Sequence, residues 1–338
     1  MKPVPHNRPV YGAAEQASIR RVLRSGWLGQ GPETAAFEDD FCRFLGLAKG
    51  RAVAVSSGTA ALYLALWALK AEGKRVAYPA YACSALRHAV RMARGKERRV
   101  DLAAAGPNLD PLRLSGADIA IVPHLFGIPQ RLRAAPGVEI IEDCAQAAGA
   151  EAGGRPVGLQ GRLSIFSFFG TKLMTTGGQG GIVVSRDRAL IAEIRDYREF
   201  DARDDGRARF NFQMTDVQAA IGRAQLARLP ALLARRETLF QRYRRAGLPL
   251  LDASLGLAPA RYRAVVLTAD PDRIIGKLAA RGVSARKPVD FWLLPGEKGR
   301  FPNAERMWRQ AVSLPLYPSL TDGEADRVIA AWKEAHDQ

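Results

Sequence analysis

The chain has 338 residues, of which 50 are Lys or Arg and 34 Asp or Glu, giving a formal net charge of +16 and a pI of about 10.2. Its 47% hydrophobic and 25% charged content is ordinary for a globular protein, long enough to bury one large core and a smaller one. It has no apolar run long enough to span a bilayer, and its opening "MKPVPHNRPVYG" lacks the apolar core of a signal peptide, so the expected location is the cytoplasm, away from any membrane.

The elements alternate along the chain. "ETAAFEDDFCRFLG" carries apolar residues at helical spacing and stops at Gly46. "RAVAVSSGTAALYLALWALKAEG" reads as strand, turn and helix, "KRVAYPAY" as a strand and loop, and "SALRHAVRMARG" as a helix. "ADIAIVPHLFG", "VEIIEDCAQAAGA" and "RLSIFSFF" are apolar strands that end in polar residues. Strands interleaved with helices imply a largely parallel sheet covered on both faces, with ligands at the carboxyl ends of the strands. One or two long helices follow in "TDVQAAIGRAQLARLPALLARRETLFQRYRRAG". The remainder, "RYRAVVLTA", "PDRIIGKLAARG", "NAERMWRQAVSLPLY" and "TDGEADRVIAAWKEA", reads as a small α/β unit. A boundary near Gly247 gives a large domain over residues 1–247 and a small C-terminal domain over 248–338.

Three cysteines (Cys42, Cys83, Cys144) form no CxxC pair, and four histidines (His6, His88, His124, His336) lie far apart in sequence, so no disulfide framework and no metal site is expected. The basic charge has two readings. One is nucleic-acid binding by a non-catalytic regulatory protein. The other, favoured because the arginines are spread along the chain without a recognisable nucleic-acid motif, is a solvated basic surface, which also suits a polyanionic small substrate.

Candidate chemistry sits at three strand ends. In "SSGTAAL" a strand leads through Ser56, Ser57, Gly58 and Thr59 into a helix, a geometry that either caps the helix or binds an anion on its free N–H groups. Asp143 ends the apolar strand of "EIIEDCAQAAG"; it is either a helix cap or a carboxylate that meets a cationic ring nitrogen, and Gln146 stands one turn later. Lys172 in "SIFSFFGTKLMTTGGQGG" is the only lysine between Lys96 and Lys277. Its apolar, aromatic flank argues against a surface loop lysine, and an amine that loses its proton there attacks a carbonyl, which arginine cannot do. Ser167, just upstream, offers a hydroxyl to a phosphate. An anion site, then a strand-end Asp, then a Lys is the chain order of the fold type I enzymes that use pyridoxal 5'-phosphate (PLP).

The sequence resembles the DegT/DnrJ/StrS-type aminotransferases over nearly its whole length, through "SGWLGQGPETAAFEDDFCRFLG", "SSGTAALYLAL", "IIEDCAQAAGA", "FSFFGTKLMTTGGQGG", "FNFQMTDVQAAIGRAQL" and "VSLPLYPSLTD" taken in order. The resemblance implies a large domain with a mostly parallel seven-stranded sheet flanked by helices and a small C-terminal α/β domain. It implies a transaminase that moves an amino group from an amino acid, glutamate first among candidates, to a keto sugar carried on a nucleotide. In that family Lys172 matches the covalent anchor and proton carrier, Asp143 the partner of the ring nitrogen, Gln146 the contact on the ring-hydroxyl side, and Gly58, Thr59 and Ser167 the phosphate ligands. Asn211 matches a residue that reaches the cofactor of a neighbouring subunit, which implies a homodimer with shared active sites. The same-fold alternative is an aminotransferase for a non-nucleotide carbonyl such as a cyclitol or an amino-acid-derived ketone.

Four departures from the family pattern fall beside this machinery. Cys83 stands where an aromatic residue usually stacks on the ring, so the residue that covers the ring face is left open, with Tyr81 as one candidate. Gln213 replaces an arginine, Gln179 replaces an acid in the glycine turn, and "GVSARKPVDFWLLP" lacks a histidine often found there.

Overall fold

The computed structural model describes residues 2–132, 136–201, 203–289 and 299–336; the stretch 290–295 of "GVSARKPVDFWLLP" lies outside the described residues. Helices α1 (Ala13–Ser25) and α2 (Pro32–Phe44) precede β1 (Ala52–Val55), α3 (Gly58–Ala68), β2 (Arg75–Pro79), α4 (Ser84–Met92) and β3 (Lys96–Val100). The chain continues through β4 (Ile119–Pro123), β5 (Glu139–Asp143), the two-residue strands β6 (Glu151–Ala152) and β7 (Arg155–Pro156), then β8 (Leu163–Ser167), β9 (Gly181–Val184) and α5 (Arg188–Arg198). Next come the 30-residue α6 (Asp216–Arg245), β10 (Leu257–Ala258), β11 (Ala264–Leu267), α7 (Pro271–Ala280), α8 (Pro302–Gln310), β12 (Ala311–Leu314) and α9 (Asp322–His336).

Seven strands form one sheet in the order β1-β9-β8-β5-β4-β2-β3. The register is parallel from β8 through β3, and β9 runs antiparallel to both β1 and β8. This is the expected mostly parallel seven-stranded sheet. Every residue of β1, β4 and β9 is buried, as the unbroken apolar runs require when helices cover both faces. On one face α3 and α4 pack Leu62, Leu66, Leu86 and Val90 with Tyr197 of α5 over Val53, Ile121 and Ile165. On the other, Phe37 and Phe41 of α2 meet Phe166 and Phe168 edge-on, with Leu226 and Leu229 of α6 beside them.

Seven elements are not foreshadowed by the sequence patterns above: helices α1 and α5, strands β3 and β9, and the two-residue strands β6, β7 and β10. Strand β9 is four residues long and follows directly on the glycine turn. Strand β3 is the charged run "KERRV", outward-facing at a sheet edge where charge also discourages pairing with another chain.

The long arginine-rich segment is one helix. Thr215 and Gln218 form a reciprocal capping box at its start, while Asp216 accepts N–H groups from Gly31, Glu33 and Thr34 and so also caps α2. Its last turns place Leu239, Phe240 and Tyr243 in a separate core with α7, α9 and the β11-β12 pair. Val4 joins that core and exchanges backbone hydrogen bonds with Gly282 and Ser284. A further cluster, including Tyr81, Phe126, Val265, Phe301 and Met307, joins β11 and α8 to the sheet.

Candidate active site

Strands β4, β5 and β8 end side by side, with Pro123 paired to Asp143 and Asp143 to Ile165. Beyond these ends lies a cavity of about 240 Å³. Gly58, Thr59, Asp143, Gln146, Ser167 and Lys172 all line it, so residues spread over more than a third of the chain meet in one place. Cys83, His124 and Gln179 line it too.

Two walls of the cavity meet at Gly58. A Cβ there would stand 2.7 Å from Ser167 Cβ and 2.8 Å from its Oγ, which no side chain tolerates. Glycine therefore lets the first turn of α3 close on the end of β8. Ser57 caps that turn by accepting Ala60 N–H at 3.1 Å, and the first-turn amides of Gly58 and Thr59 have no partner within the helix. The positive end of the helix and the Ser167 hydroxyl thus converge on one spot, an arrangement suited to a phosphate.

Asp143 is 6% exposed and accepts a hydrogen bond from Ala145 N at 3.0 Å. Burial pushes its carboxyl pKa up, against the opposing pull of the Ala145 amide and of the Lys172 charge. Gln146 commits its Oε1 to Phe126 N at 2.7 Å, which directs its amide hydrogens elsewhere. Lys172 N donates to Phe169 O, and its Nζ lies 5.3 Å from the centre of the Tyr262 ring. Behind Lys172 a second, narrow cavity is lined by Asn7, Val10, Gln225 and Pro318 among others. The glycine turn after the lysine is tied down by Phe168 N to Gly180 O, Gly170 N to Gly178 O, and Gln218 Nε2 to Gln179 O.

Three residues near the site were not singled out by sequence reasoning. His124 is fully buried, its Nε2 2.8 Å from Glu142 Oε1 and its Nδ1 accepting Gln130 N–H. Glu142 also accepts from Gly158 N, Gln160 N and Ser164 Oγ, and these donors and His124 hold its pKa down against its burial. His124, Glu142 and Cys144 place potential ligand atoms within 4.8 Å of one another, but the carboxylate is already saturated by these donors. Tyr262 reaches the site from just before β11, over Gly127, where a Cβ would stand 2.8 Å from Tyr262 N. Gly127 has φ +81° and follows Phe126, itself at φ +62°.

Two of the predicted site residues lie elsewhere. Tyr81 is 1% exposed and packs edge-on against Phe126 in the cluster under β11, so the neighbouring Ala82 and Cys83, not Tyr81, form the cavity wall. Asn211 is exposed, its Oδ1 accepting Gln213 N at 3.0 Å, and lines no part of this chain's own cavity. Gln213 also lies outside the lining, bridged to Val55.

Sheet, helices and site define an α/β enzyme of the fold type I aminotransferase class. The chain belongs to the DegT/DnrJ/EryC1/StrS aminotransferase family, whose model matches residues 9–333. It is similar to DesV of S. venezuelae, with 32% identity and a TM-score of 0.87 over 96% of this chain and 95% of that one. It is also similar to the aminotransferase TlmJ from Streptoalloteichus hindustanus (28% identity, TM-score 0.92, 98% of each chain). A third relative is Spr1654 from Streptococcus pneumoniae in its PLP form, described as a candidate sugar aminotransferase (25% identity, TM-score 0.88, 99% of each chain). The chain is thus a PLP-dependent aminotransferase. The cavity fits that cofactor: it offers a helix N-terminus narrowed by a glycine, a buried carboxylate short of partners, an amide with free hydrogens, and one amine.

Proposed function

We propose that this enzyme transfers the amino group of an amino acid, glutamate foremost, to a keto sugar linked to a nucleotide. One observation carries the reading: Lys172, Asp143, Ser167 and the α3 N-terminus line a single cavity in a chain of this family. The description of Spr1654 as a candidate sugar aminotransferase and the net charge of +16, suited to a diphosphate-bearing substrate, support the sugar nucleotide.

Bound PLP supplies an electron sink for the charge that develops at the carbon losing its proton. Lys172 Nζ is the covalent anchor, and once released it carries the proton off the donor carbon and returns it. Asp143, buried and short of hydrogen bonds, has its pKa raised by burial; a cationic ring nitrogen beside it would offset that burial, hold the carboxylate ionised and in turn be kept protonated. Gln146 donates its spare amide hydrogen to the ring hydroxyl. The Gly58 and Thr59 amides and Ser167 Oγ hold the phosphate. Cys83, Ala82 and Leu86 close one side of the cavity against water. Asn211, exposed and outside its own cavity, reaches the phosphate in a second copy of the chain, so the working enzyme is a homodimer. In this reading residues 1–247 hold the cofactor and residues 248–338 close over the substrates. Among the described residues no helix is long and apolar enough to cross a membrane, which agrees with action in the cytoplasm.

The test is a half-reaction. The purified holoenzyme is mixed with L-glutamate and with a panel of UDP-, GDP- and dTDP-linked amino sugars, and the cofactor's visible band is followed. Bleaching by glutamate and by at least one sugar nucleotide is expected. Bleaching by glutamate alone would move the acceptor to a non-nucleotide carbonyl.

A further inference from the structure

The end of β8 alternates between two environments. Phe166 and Phe168 point into the core against Phe41, while Ser167 and Phe169 line the main cavity, as the two-residue period of an extended chain requires. Phe169 is 44% exposed and meets no other aromatic ring among the described residues. Lys172 N donates to its carbonyl oxygen at 2.8 Å, a tight turn that brings the ring and the reactive amine to one cavity.

Gln179 enters the same cavity from the other limb of the glycine turn. Phe169 bridges to Gly178, so Gln179 follows directly on the residue paired with Phe169. The Gln179 carbonyl oxygen accepts from Thr176 Oγ1 and Gln218 Nε2. A Cβ on Gly180 would stand 2.2 Å from Thr176 Oγ1, so the turn closes this tightly only with glycine there. The backbone is thereby fixed, but the side-chain amide of Gln179 is exposed and has no hydrogen-bond partner among the described residues.

The other polar side chains of the lining are already committed. Asp143, Gln146, Ser167 and Lys172 are assigned to the cofactor above. His124 has both ring nitrogens paired, and Ser57 caps α3. Phe169 and Gln179 are left facing the open space, and neither is charged. Together they offer a flat apolar face beside an amide that both donates and accepts. A polyhydroxylated six-membered ring has the matching parts: C–H bonds across one face, and edge hydroxyls that also donate and accept. An aliphatic chain would cover Phe169 and leave the amide unpaired, while a carboxylate would want a cation, which neither residue supplies.

We propose that Phe169 and Gln179 form the subsite for the acceptor's polyhydroxylated ring. Phe169 bears the C–H face, Gln179 hydrogen-bonds a ring hydroxyl, and the reacting carbon is thereby set at Lys172. This rests on the aminotransferase reading above and deepens it by naming the residues that select the acceptor. The chemistry is shared by a sugar and a cyclitol, which the experiment separates.

The test is the half-reaction of the holoenzyme, read as the concentration of each amine that half-saturates bleaching of the visible band. UDP-, GDP- and dTDP-linked amino sugars and free scyllo-inosamine are the ring probes, and L-glutamate is the reference. Whichever ring probe bleaches wild type best identifies the source, nucleotide-linked sugar or cyclitol, and is carried to the variants. Phe169→Ala should raise its half-saturating concentration about tenfold more than that of glutamate, and Gln179→Ala about fivefold more. Phe169→Tyr keeps the ring face and should hold the wild-type ratio within about twofold. Equal shifts for probe and glutamate, or none, overturn this proposal alone. Equal shifts with weakened PLP binding would place Phe169 against the cofactor instead, and loss of the dimer with an unchanged ratio would place it against a second copy of the chain. Should Phe169→Ala not fold, Phe169→Leu, apolar but without a ring face, and Gln179→Ala decide by the same ratio. A wild-type enzyme bleached by glutamate and by none of the ring probes overturns the reading of a sugar or cyclitol acceptor, and this subsite with it.

Discussion

Gly58 and Ser167 lie so close that a methyl group on the first would stand 2.7 Å from the Cβ of the second. The contact joins the start of α3 to the end of β8, and Ser167 is too short to swing away. Gly58→Ala must therefore part the two walls where the phosphate is proposed to sit. PLP affinity should fall about tenfold or more, the equivalent of ~1.4 kcal/mol, while the protein stays folded. Titration of the apoenzyme with PLP, read by absorbance, checks this; unaltered affinity would show that the two walls give way freely.

Lys172→Ala and Lys172→Arg should both abolish the visible band of the covalently held cofactor and slow transamination by about 1,000-fold or more, since each lacks an amine that can attack a carbonyl and carry a proton. Neither should change the melting temperature of the apoenzyme by much. Arginine's failure is the informative half, because it keeps the charge beside Tyr262 and loses only the chemistry.

The shared-site proposal for Asn211 is testable by mixing. Lys172→Ala and Asn211→Ala proteins are each expected to be nearly inactive alone. If subunits exchange and each site takes its lysine from one copy and its asparagine from the other, the equimolar mixture regains about a quarter of wild-type activity, because half the dimers then hold one intact site. Activity that stays at the level of the parents would place Asn211 in its own subunit's chemistry or outside catalysis.

His6 gives the acid side of the stability profile a defined sign. Its pKa is about 3 folded against 6.5 unfolded, so between these values the unfolded chain holds a proton that the native protein refuses. Its contribution is fully present above pH 6.5 and is lost as pH falls toward 3. Urea unfolding at pH 4.5 and 7.5 should show less loss on acidification in His6→Asn than in wild type.

Glu142→Gln should destabilise the protein by about 2–4 kcal/mol, since an amide has one acceptor oxygen where the carboxylate has two, and its NH2 would face donors among His124, Gly158, Gln160 and Ser164. Thermal denaturation of the apoenzyme measures it directly.

How much of this was legible in the sequence depends on what each residue needed in order to be seen. Asp143, Ser167 and Lys172 sit at or just past the ends of apolar strands, and a parallel sheet brings such ends together, so local pattern was enough. Gly58 was visible as part of a strand-to-helix turn. Tyr262 was not, because its position depends on the segment before β11 crossing the turn at Gly127, a contact between segments more than 130 residues apart. His124 was noted only as a scattered histidine; its partner Glu142 lies on the adjacent strand, and parallel register cannot be read from spacing. Tyr81 stands near Cys83 and so reads as one candidate for the ring face, but the chain leaving β2 turns it into the core beneath β11. Strand β3 was hidden by its own charge, since an edge strand with two exposed lysine and glutamate positions has no apolar signature.

The narrow cavity behind Lys172 ties the lysine to both units of the molecule. Residues 4–10 run from a backbone pairing with Gly282 and Ser284 to a hydrogen bond between Gln225 and Val10, and on the way Asn7 Nδ2 reaches Thr171 O, next to the lysine. That strap works like a drawbar. A displacement of the α7 and α9 core relative to the sheet would pull on Val4, and the pull would arrive through Asn7 and Thr171 one residue from Lys172.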